Sequence, residues 1–406
     1  MSEMPPVPLP SDAPEDGRRP GRGGVVFLNW RDTRNPEGGG SELFVERVAA
    51  GLAAQGRPVT IVCAAWRGAP REELADGVRI LRRGSRLSVY LRAFLLYASG
   101  RVGPHGVVVD VQNGLPFFST LYARAPVVVL VHHVHREQWR VVLPPLPARV
   151  GWWIESRLAP RLYRGARYVA VSESTRQELV RLGVRPDAIA LVHNGTEIPP
   201  ATAPTRTPCP SICVLGRLVP HKRVELALEA AASLRPHVPG LKVTVVGQGW
   251  WEPRLREAVA RLGLEDTVEL LGFVDDATKH AVLGRSWVLA MPSLKEGWGL
   301  AVLEAAGQAT PTVAFRSAGG LAESVIDGRT GLLADDPAQF TAHLERILAD
   351  RPLRERLGAA ARDHAAAFSW PQATEAFAGV LDSATATTWA GPSAGAVVDA
   401  PGEAQA

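Results

Sequence analysis

The stretch Glu296-Gly297-Trp298-Gly299-Leu300-Ala301-Val302-Leu303-Glu304 decides how this chain is read. It follows an apolar, strand-like run at residues 288–292 and opens an Ala-rich segment of helical character that ends near Gln308. A strand, a glycine-bearing turn and a helix start make a place where backbone N–H groups point at an anion. Glu296 belongs to the turn. Glu304 lies eight residues on, roughly two helical turns or about 12 Å at ~1.5 Å rise per residue. Two carboxylates so spaced can grip separate hydroxyl groups of one extended ligand, a sugar and a ribose, which suits a nucleotide-sugar. Two solvated surface charges have the same spacing by chance, so the surrounding chain has to decide.

That chain has 406 residues, too many for one ordinary core, and suggests two domains. Its 46% hydrophobic and 21% charged residues are ordinary for a globular protein, and a net charge of +4 gives no reason to expect a nucleic-acid partner. No apolar run reaches membrane-spanning length, and no signal peptide is expected from the first residues. Cys63, Cys209 and Cys213 are scattered and not in metal-ligand spacing. A cytoplasmic location is expected, with peripheral contact at the inner membrane face left open. Of 45 basic residues only Lys222, Lys242, Lys279 and Lys295 are lysine. In an arginine-rich background, each lysine marks a place for a compact point charge.

Residues 1–23 and 386–406 read as disordered tails, rich in Pro, Gly and Ala. Between them short apolar runs alternate with helical patterns. Strands are expected at 25–28, 59–63, 107–110, 127–131, 168–171 and 188–192, then at 211–215, 242–246, 268–271, 288–291 and 312–315. Such alternation implies α/β domains with parallel sheets covered on both faces. A Pro-rich stretch over 199–209 divides the chain into 24–198 and 210–369. Ligands of open parallel sheets sit beyond the carboxyl ends of the strands. Two facing halves therefore put the site in the cleft between them.

Further motifs fall at such strand ends. Gly38-Gly39-Gly40 precedes Ser41, with the backbone freedom of a phosphate-binding turn or of a plain surface loop. Gly216-Arg217-Leu218-Val219-Pro220-His221-Lys222 puts two cations where paired charge can stabilise a departing diphosphate. Gly247-Gln248-Gly249 is equally a close approach to a nucleotide or a simple turn. His132-His133-Val134-His135 ends a strand; contact of one imidazole with substrate is the stronger reading, and metal binding the weaker. Gly391-Pro392-Ser393-Ala394-Gly395 imitates a nucleophile elbow but has no strand before it. There is no P-loop and no Asp-X-Asp pair to hold a divalent metal.

In this order the motifs resemble the retaining GT-B glycosyltransferases of family four, glycosyl transferases group 1, over about residues 24–385. Asn194-Gly195, Gly319-Gly320-Leu321-Ala322-Glu323 and Gly328-Arg329-Thr330-Gly331-Leu332-Leu333 belong to the same likeness. The resemblance implies two Rossmann-like doubly wound domains facing a cleft. It also implies a hexosyltransferase using a UDP- or GDP-linked sugar, without metal or other cofactor. Arg217 and Lys222 would hold the diphosphate, with Gly39, Gly40 and Gly216 close to it. Glu296, backed by Gly297, Trp298, Gly299 and Leu300, would meet the sugar; Glu304 would hold the ribose, and His132 would touch sugar or acceptor. Phe273 and Val274 would contact the base, and a helix over 370–385 would cross back to the first domain. Trp298 departs from the commoner phenylalanine, a change that can reshape the sugar pocket.

The acceptor, whether glycan, lipid-linked or small molecule, stays open, and the segment Asp110–Pro116 is a candidate lining for it. Residues 136–167 carry seven arginines against two glutamates, interleaved with Trp139, Trp152, Trp153 and Tyr163. That pattern is either a face for a membrane surface or helices packing their tryptophans inward. Two other functions compete: a nucleotide-sugar hydrolysing epimerase of the same fold, and a catalytically idle carbohydrate-binding partner subunit.

Overall fold

The computed structural model describes residues 23–197 and 205–386. The expected tails, apart from their inner ends, and most of the Pro-rich linker lie outside them. The first sheet contains β1 (Val25–Leu28), β2 (Val59–Cys63), β3 (Glu72–Ala75), β4 (Val78–Arg82), β5 (Val107–Gln112), β6 (Val127–Val131), β7 (Arg167–Ala170) and β8 (Ile189–Leu191). Its order is β3-β4-β2-β1-β5-β6-β7-β8, parallel throughout except for the β3/β4 pair. The second sheet is all parallel, in the order β11-β10-β9-β12-β13-β14. Its strands are β9 (Ser211–Leu215), β10 (Lys242–Val246), β11 (Val268–Gly272), β12 (Val288–Met291), β13 (Thr312–Phe315) and β14 (Gly331–Ala334). Val-rich runs such as Val107–Gln112, buried at every position, are what parallel strands covered on both faces require.

In each sheet the strand order turns back at one place, between β1 and β5 and between β9 and β12. Loops at such switch points diverge and leave a crevice. The motifs singled out above follow these strands: the triple glycine after β1, Gly216–Lys222 after β9, and Glu296–Gly299 after β12.

One hairpin is absent from the expected strands. β3 and β4 pair antiparallel across Asp76-Gly77, both with positive φ (50° and 75°). Asp-Gly between short apolar runs is a strong signal for a two-residue turn, because glycine enters the left-handed region without a Cβ clash. β3 lies at the sheet edge with half its residues exposed, so its hydrophobic pattern is faint.

The first domain's core is finished by the second half of the chain. Helix Trp370–Thr385 crosses back and packs on helix α1 (Gly40–Ala54). Phe377 stacks on Phe27 at 5.9 Å and meets Phe44 edge-on at 6.1 Å. Ser369 caps that helix, accepting a hydrogen bond from the Gln372 amide. Phe377→Ala should remove about 3–5 kcal/mol of stability through the cavity it leaves, whereas Glu375→Ala on the exposed face should change it by under ~0.5 kcal/mol; denaturant unfolding of the two variants measures the difference.

Candidate active site

The turn from Ser293 to Gly299 joins β12 to helix Leu300–Gly307. Glu296 therefore sits in the turn before the helix and Glu304 in the helix's second turn, so a bend and a short helical step separate the two carboxylates. The turn presses against the first domain: a Cβ on Gly297 would stand 2.3 Å from the His132 carbonyl oxygen. No side chain fits that approach. The His132 carbonyl is itself held by the Thr175 hydroxyl at 3.1 Å.

A cavity of about 250 Å³ lies along this contact. His132, Gly39 and Gly40 wall it from the first domain. Gly216, Arg217, Lys222, Glu296, Gly297, Trp298, Gly299, Leu300 and Glu304 wall it from the second. Val274 is not among the lining residues, and Phe273 is largely exposed while Val274 packs on the second core. Both follow β11, the sheet edge two strands away from the β9/β12 switch point. The groove beyond Glu304 is bordered instead by Arg47, Glu197, Asp276 and Lys279, and the Lys279 ammonium pairs with Glu304 at 2.7 Å. Trp298 walls the cavity and also joins the domains: its ring is buried in the core shared by both, 4.3 Å from His193 and 5.2 Å from Phe368.

Charge in the cavity is arranged as pairs. The Lys222 ammonium bonds the Glu296 carboxylate, which also accepts from the Ser293 hydroxyl at 2.7 Å. Burial works to raise the Glu296 pKa, but Lys222 and these hydrogen bonds hold it below the usual carboxylate range. Glu42, fully buried on α1, accepts from the Gly39 N–H (2.8 Å), the Ser41 hydroxyl (2.9 Å) and Arg31 Nε (3.3 Å). Burial opposes its charge too, and Arg31 with Arg217 overcomes it. Glu42 thus ties the glycine loop to the cations facing it. Arg217 reaches across the cleft to the Glu37 carbonyl at 3.2 Å, and burial and then Arg31 lower its pKa.

Among the described residues, four buried polar atoms belonging to the cavity wall have no hydrogen-bond partner: His132 Nε2, Asn194 Oδ1, His221 Nδ1 and Trp298 Nε1. Buried polar groups are nearly always satisfied, so unsatisfied ones on both sides of one cavity are groups a hydroxyl-bearing ligand could bond. His221 and Asn194 had no role assigned from the sequence; His221 stands between Arg217 and Lys222 in the same motif. Lys295, the fourth lysine, is buried and pairs with Glu178 and, at 3.5 Å, with Glu137 of the first domain. Glu323 accepts from the Glu173 and Ser174 amides at 2.7 and 2.6 Å, so a carboxylate of one domain meets a helix N-terminus of the other.

A second cavity, also about 250 Å³, adjoins the first and shares Ser41, His133, Gln138, Arg217 and His221 with it. Its other walls are Trp30, Tyr90, Trp139 and Trp250, with Arg31, Arg86, Asn113 and Leu115. Asn113 and Leu115 come from the segment expected on the acceptor side. That segment turns on Asp110, fully buried, whose carboxylate accepts from the Phe117 amide (3.0 Å), the Ser119 hydroxyl (2.7 Å) and the Tyr163 hydroxyl. In the 136–167 region Tyr163 is therefore inward, Trp139 bonds Glu155 at 2.7 Å, and Trp153 is exposed, so the tryptophans divide between the two expected arrangements.

Two facing doubly wound domains with a charged cleft are the GT-B fold. Solved structures that share it include sucrose-phosphate synthase of Thermosynechococcus elongatus (TM-score 0.77, 20% identity, 89% of this chain and 98% of that one). WaaG, a glycosyltransferase involved in lipopolysaccharide biosynthesis, superposes at 0.72 with 16% identity over 88% and 99%, and Anabaena HepE with UDP-glucose at 0.69 with 18% identity over 89% and 100%. Residues 38–198 match Glycosyltransferase Family 4 and residues 203–364 match Glycosyl transferases group 1. A D-inositol 3-phosphate glycosyltransferase of Streptomyces scabiei is 31% identical over 90% of this chain and 92% of its own length; that of Streptomyces bingchenggensis is 29% identical over 91% and 90%. The chain belongs to this family of glycosyltransferases.

Burial lowers the His132 pKa to about 4 from 6.5, and lowers that of His221 similarly, to about 4. A depressed pKa means the unfolded chain takes up the proton first, so the stability from a neutral His132 is complete above pH 6.5 and fades as the pH falls toward 4. His132→Asn should flatten the decline over that window, by up to about 3 kcal/mol at its acid end. Denaturant unfolding at a series of pH values reads this, and an unchanged slope would mean that His132 is readily protonated in the fold.

Proposed function

We propose that the protein transfers a hexose from a UDP- or GDP-linked sugar to an acceptor hydroxyl, with retention at the anomeric carbon and without a metal ion. The observation that carries this reading is the convergence of Arg217, Lys222 and the N-terminus of helix Leu300–Gly307 on one cavity that also holds unsatisfied polar atoms. Positive charge then stands where a diphosphate would leave, and hydrogen-bonding groups stand where sugar hydroxyls would lie. HepE, which shares the fold, is solved with UDP-glucose, and that supports a nucleotide-sugar and tilts the base toward uracil.

In the proposed reaction the bond from the anomeric carbon to the phosphate oxygen breaks while the acceptor oxygen bonds the same face of the sugar. The acceptor's proton passes to the departing phosphate oxygen, and no sugar–protein bond forms. The transition state is oxocarbenium-like, so stabilising the leaving diphosphate lowers the barrier most. Arg217 and Lys222 do this, with Lys222 moving from Glu296 to the phosphate and freeing a carboxylate oxygen for a sugar hydroxyl. Glu304 exchanges Lys279 for the ribose in the same way. His132, kept neutral by burial, bonds the sugar or the acceptor through Nε2.

The second cavity is the proposed acceptor site. Relatives named for D-inositol 3-phosphate suggest an acceptor that carries a phosphate, and Arg31 and Arg86 beside Trp30 suit one. A lipid-linked or glycan acceptor remains within this reading, as does peripheral membrane contact through residues 136–167 by a protein otherwise in the cytoplasm. The retained Arg217, Lys222, Glu296 and Glu304 weigh against an idle subunit, and the adjoining second cavity against an epimerase that needs no acceptor.

UDP or GDP should stabilise the protein against heat equally with and without EDTA. Replacing Arg217 and Lys222 together by Ala should lower turnover at least ~10³-fold, since one transition-state donor contributes about 10²–10³, while far-ultraviolet circular dichroism stays unchanged. Full activity in that variant would sink the mechanism; activity lost to EDTA and restored by a divalent ion would sink metal independence.

A further inference from the structure

Helix α2 (Val89–Ala98) buries Val89, Ala93 and Leu96 against the first domain, as a surface helix should. Its other face is apolar as well. Leu87, Leu91, Phe94 and Leu95 recur at helical spacing and stand exposed, Leu87 by 77% and Leu91 by 59%. Phe94 meets Tyr122 edge-on at 5.2 Å, and the neighbouring Leu121 is exposed too. From residue 83 to 109 there are four arginines (83, 86, 92 and 101) and no acid.

A second stripe has the same character. After helix α3 (Arg136–Val142), helix α4 (Pro145–Trp153) exposes Leu146 (71%), Val150 and Trp153 (55%), again at successive turns, with Arg149 exposed among them. The two stripes meet at one place. Leu87 and Tyr90 on the α2 side, and Trp139 and Leu143 just ahead of α4, all line the second cavity. Among the described residues, no carboxylate lines that cavity.

We infer that α2 and α4 form a docking surface for an anionic lipid bilayer, which brings the mouth of the second cavity to the level of the lipid headgroups. Apolar side chains interleaved with arginine, with an exposed tryptophan, match the layered polarity of a bilayer surface. Anionic lipid attracts such a surface. A second copy of this chain would present arginine to arginine, so charge favours lipid over self-association. The inference rests on the proposed function only in treating the second cavity as the acceptor's; on that reading the acceptor is reached from the membrane side.

The full-length protein should co-sediment with vesicles of phosphatidylcholine and phosphatidylglycerol (7:3) but not with phosphatidylcholine alone. The binding should fall in 0.5 M NaCl, where the Debye length is about 4 Å. Leu91→Ser/Leu95→Ser and Leu146→Ser/Val150→Ser line neither cavity, and each should weaken vesicle binding at least ~10-fold, a loss of apolar contact, with thermal stabilisation by UDP unchanged. No binding of the wild type to the anionic vesicles overturns the inference. So does equal binding by both variants, or a concentration-dependent dimer that the variants abolish in its place. Vesicle binding that follows this pattern in a protein no nucleotide stabilises would keep the surface and remove the donor reading, so the two fail separately.

Discussion

The approach of the Gly297 backbone to the His132 carbonyl is the contact on which the rest of the site depends. It brings the carboxyl end of β6 and the loop after β12 within van der Waals reach, so groups from both sheets face one cavity. The contact is secured on either side by unlike forces. Trp298 is buried with His193 and Phe368, an apolar anchor. Lys295 with Glu178, and Glu323 with the amides of Glu173 and Ser174, are charged or charge-assisted. Apolar burial gives such an interface its strength, while paired charges at the rim fix its register.

In and around the cavity several cations already have carboxylate partners. Lys222 is held by Glu296, Lys279 by Glu304, and Arg31 by Glu42 and Glu37. A buried ammonium without a partner would be costly, and a carboxylate offsets that cost while no ligand is bound. A nucleotide-sugar suits this arrangement because it carries both kinds of partner: phosphate oxygens for the cations and hydroxyl donors for the carboxylates. Its entry would exchange one set of pairs for another instead of breaking any. Glu42 stands apart, since its partners are the glycine-loop amide, Ser41 and Arg31, and it fixes the loop's position.

The sequence made most of the fold legible because buried parallel strands write themselves as uninterrupted Val-rich runs, and glycines mark the turns that follow. It also pointed to the pieces that wall the first cavity, since cations, glycines and paired glutamates after strands are local patterns. What depends on strand order stayed hidden. Val274 follows a strand just as Gly216 does, and only the strand order shows that β11 lies at the sheet edge and β9 at the switch point. Trp298 could not be assigned to the domain interface before Phe368 was known to return beneath it. The β3/β4 hairpin was legible in Asp76-Gly77 and was missed because its edge strand lacks a hydrophobic pattern.

The two halves of the site are built differently, and this bears on where specificity lies. The first cavity is made largely of loop backbone and charge at the switch points, positions that the crevice of any doubly wound domain offers to a phosphate. The second is made largely of long side chains: Trp30 from the loop after β1, Tyr90 from α2 and Trp139 from α3, with Trp250 from the second domain. Arg31 and Arg86 both lie over the Trp30 ring, at 4.4 and 4.9 Å, which holds two cations beside an apolar plate at the cavity wall. Changing a wall of the first cavity would disturb the charge pairs and the domain contact together. Changing α2 or α3 would alter the second cavity and leave Gly297 against His132, so the fold leaves the second cavity free to differ while the first stays constrained.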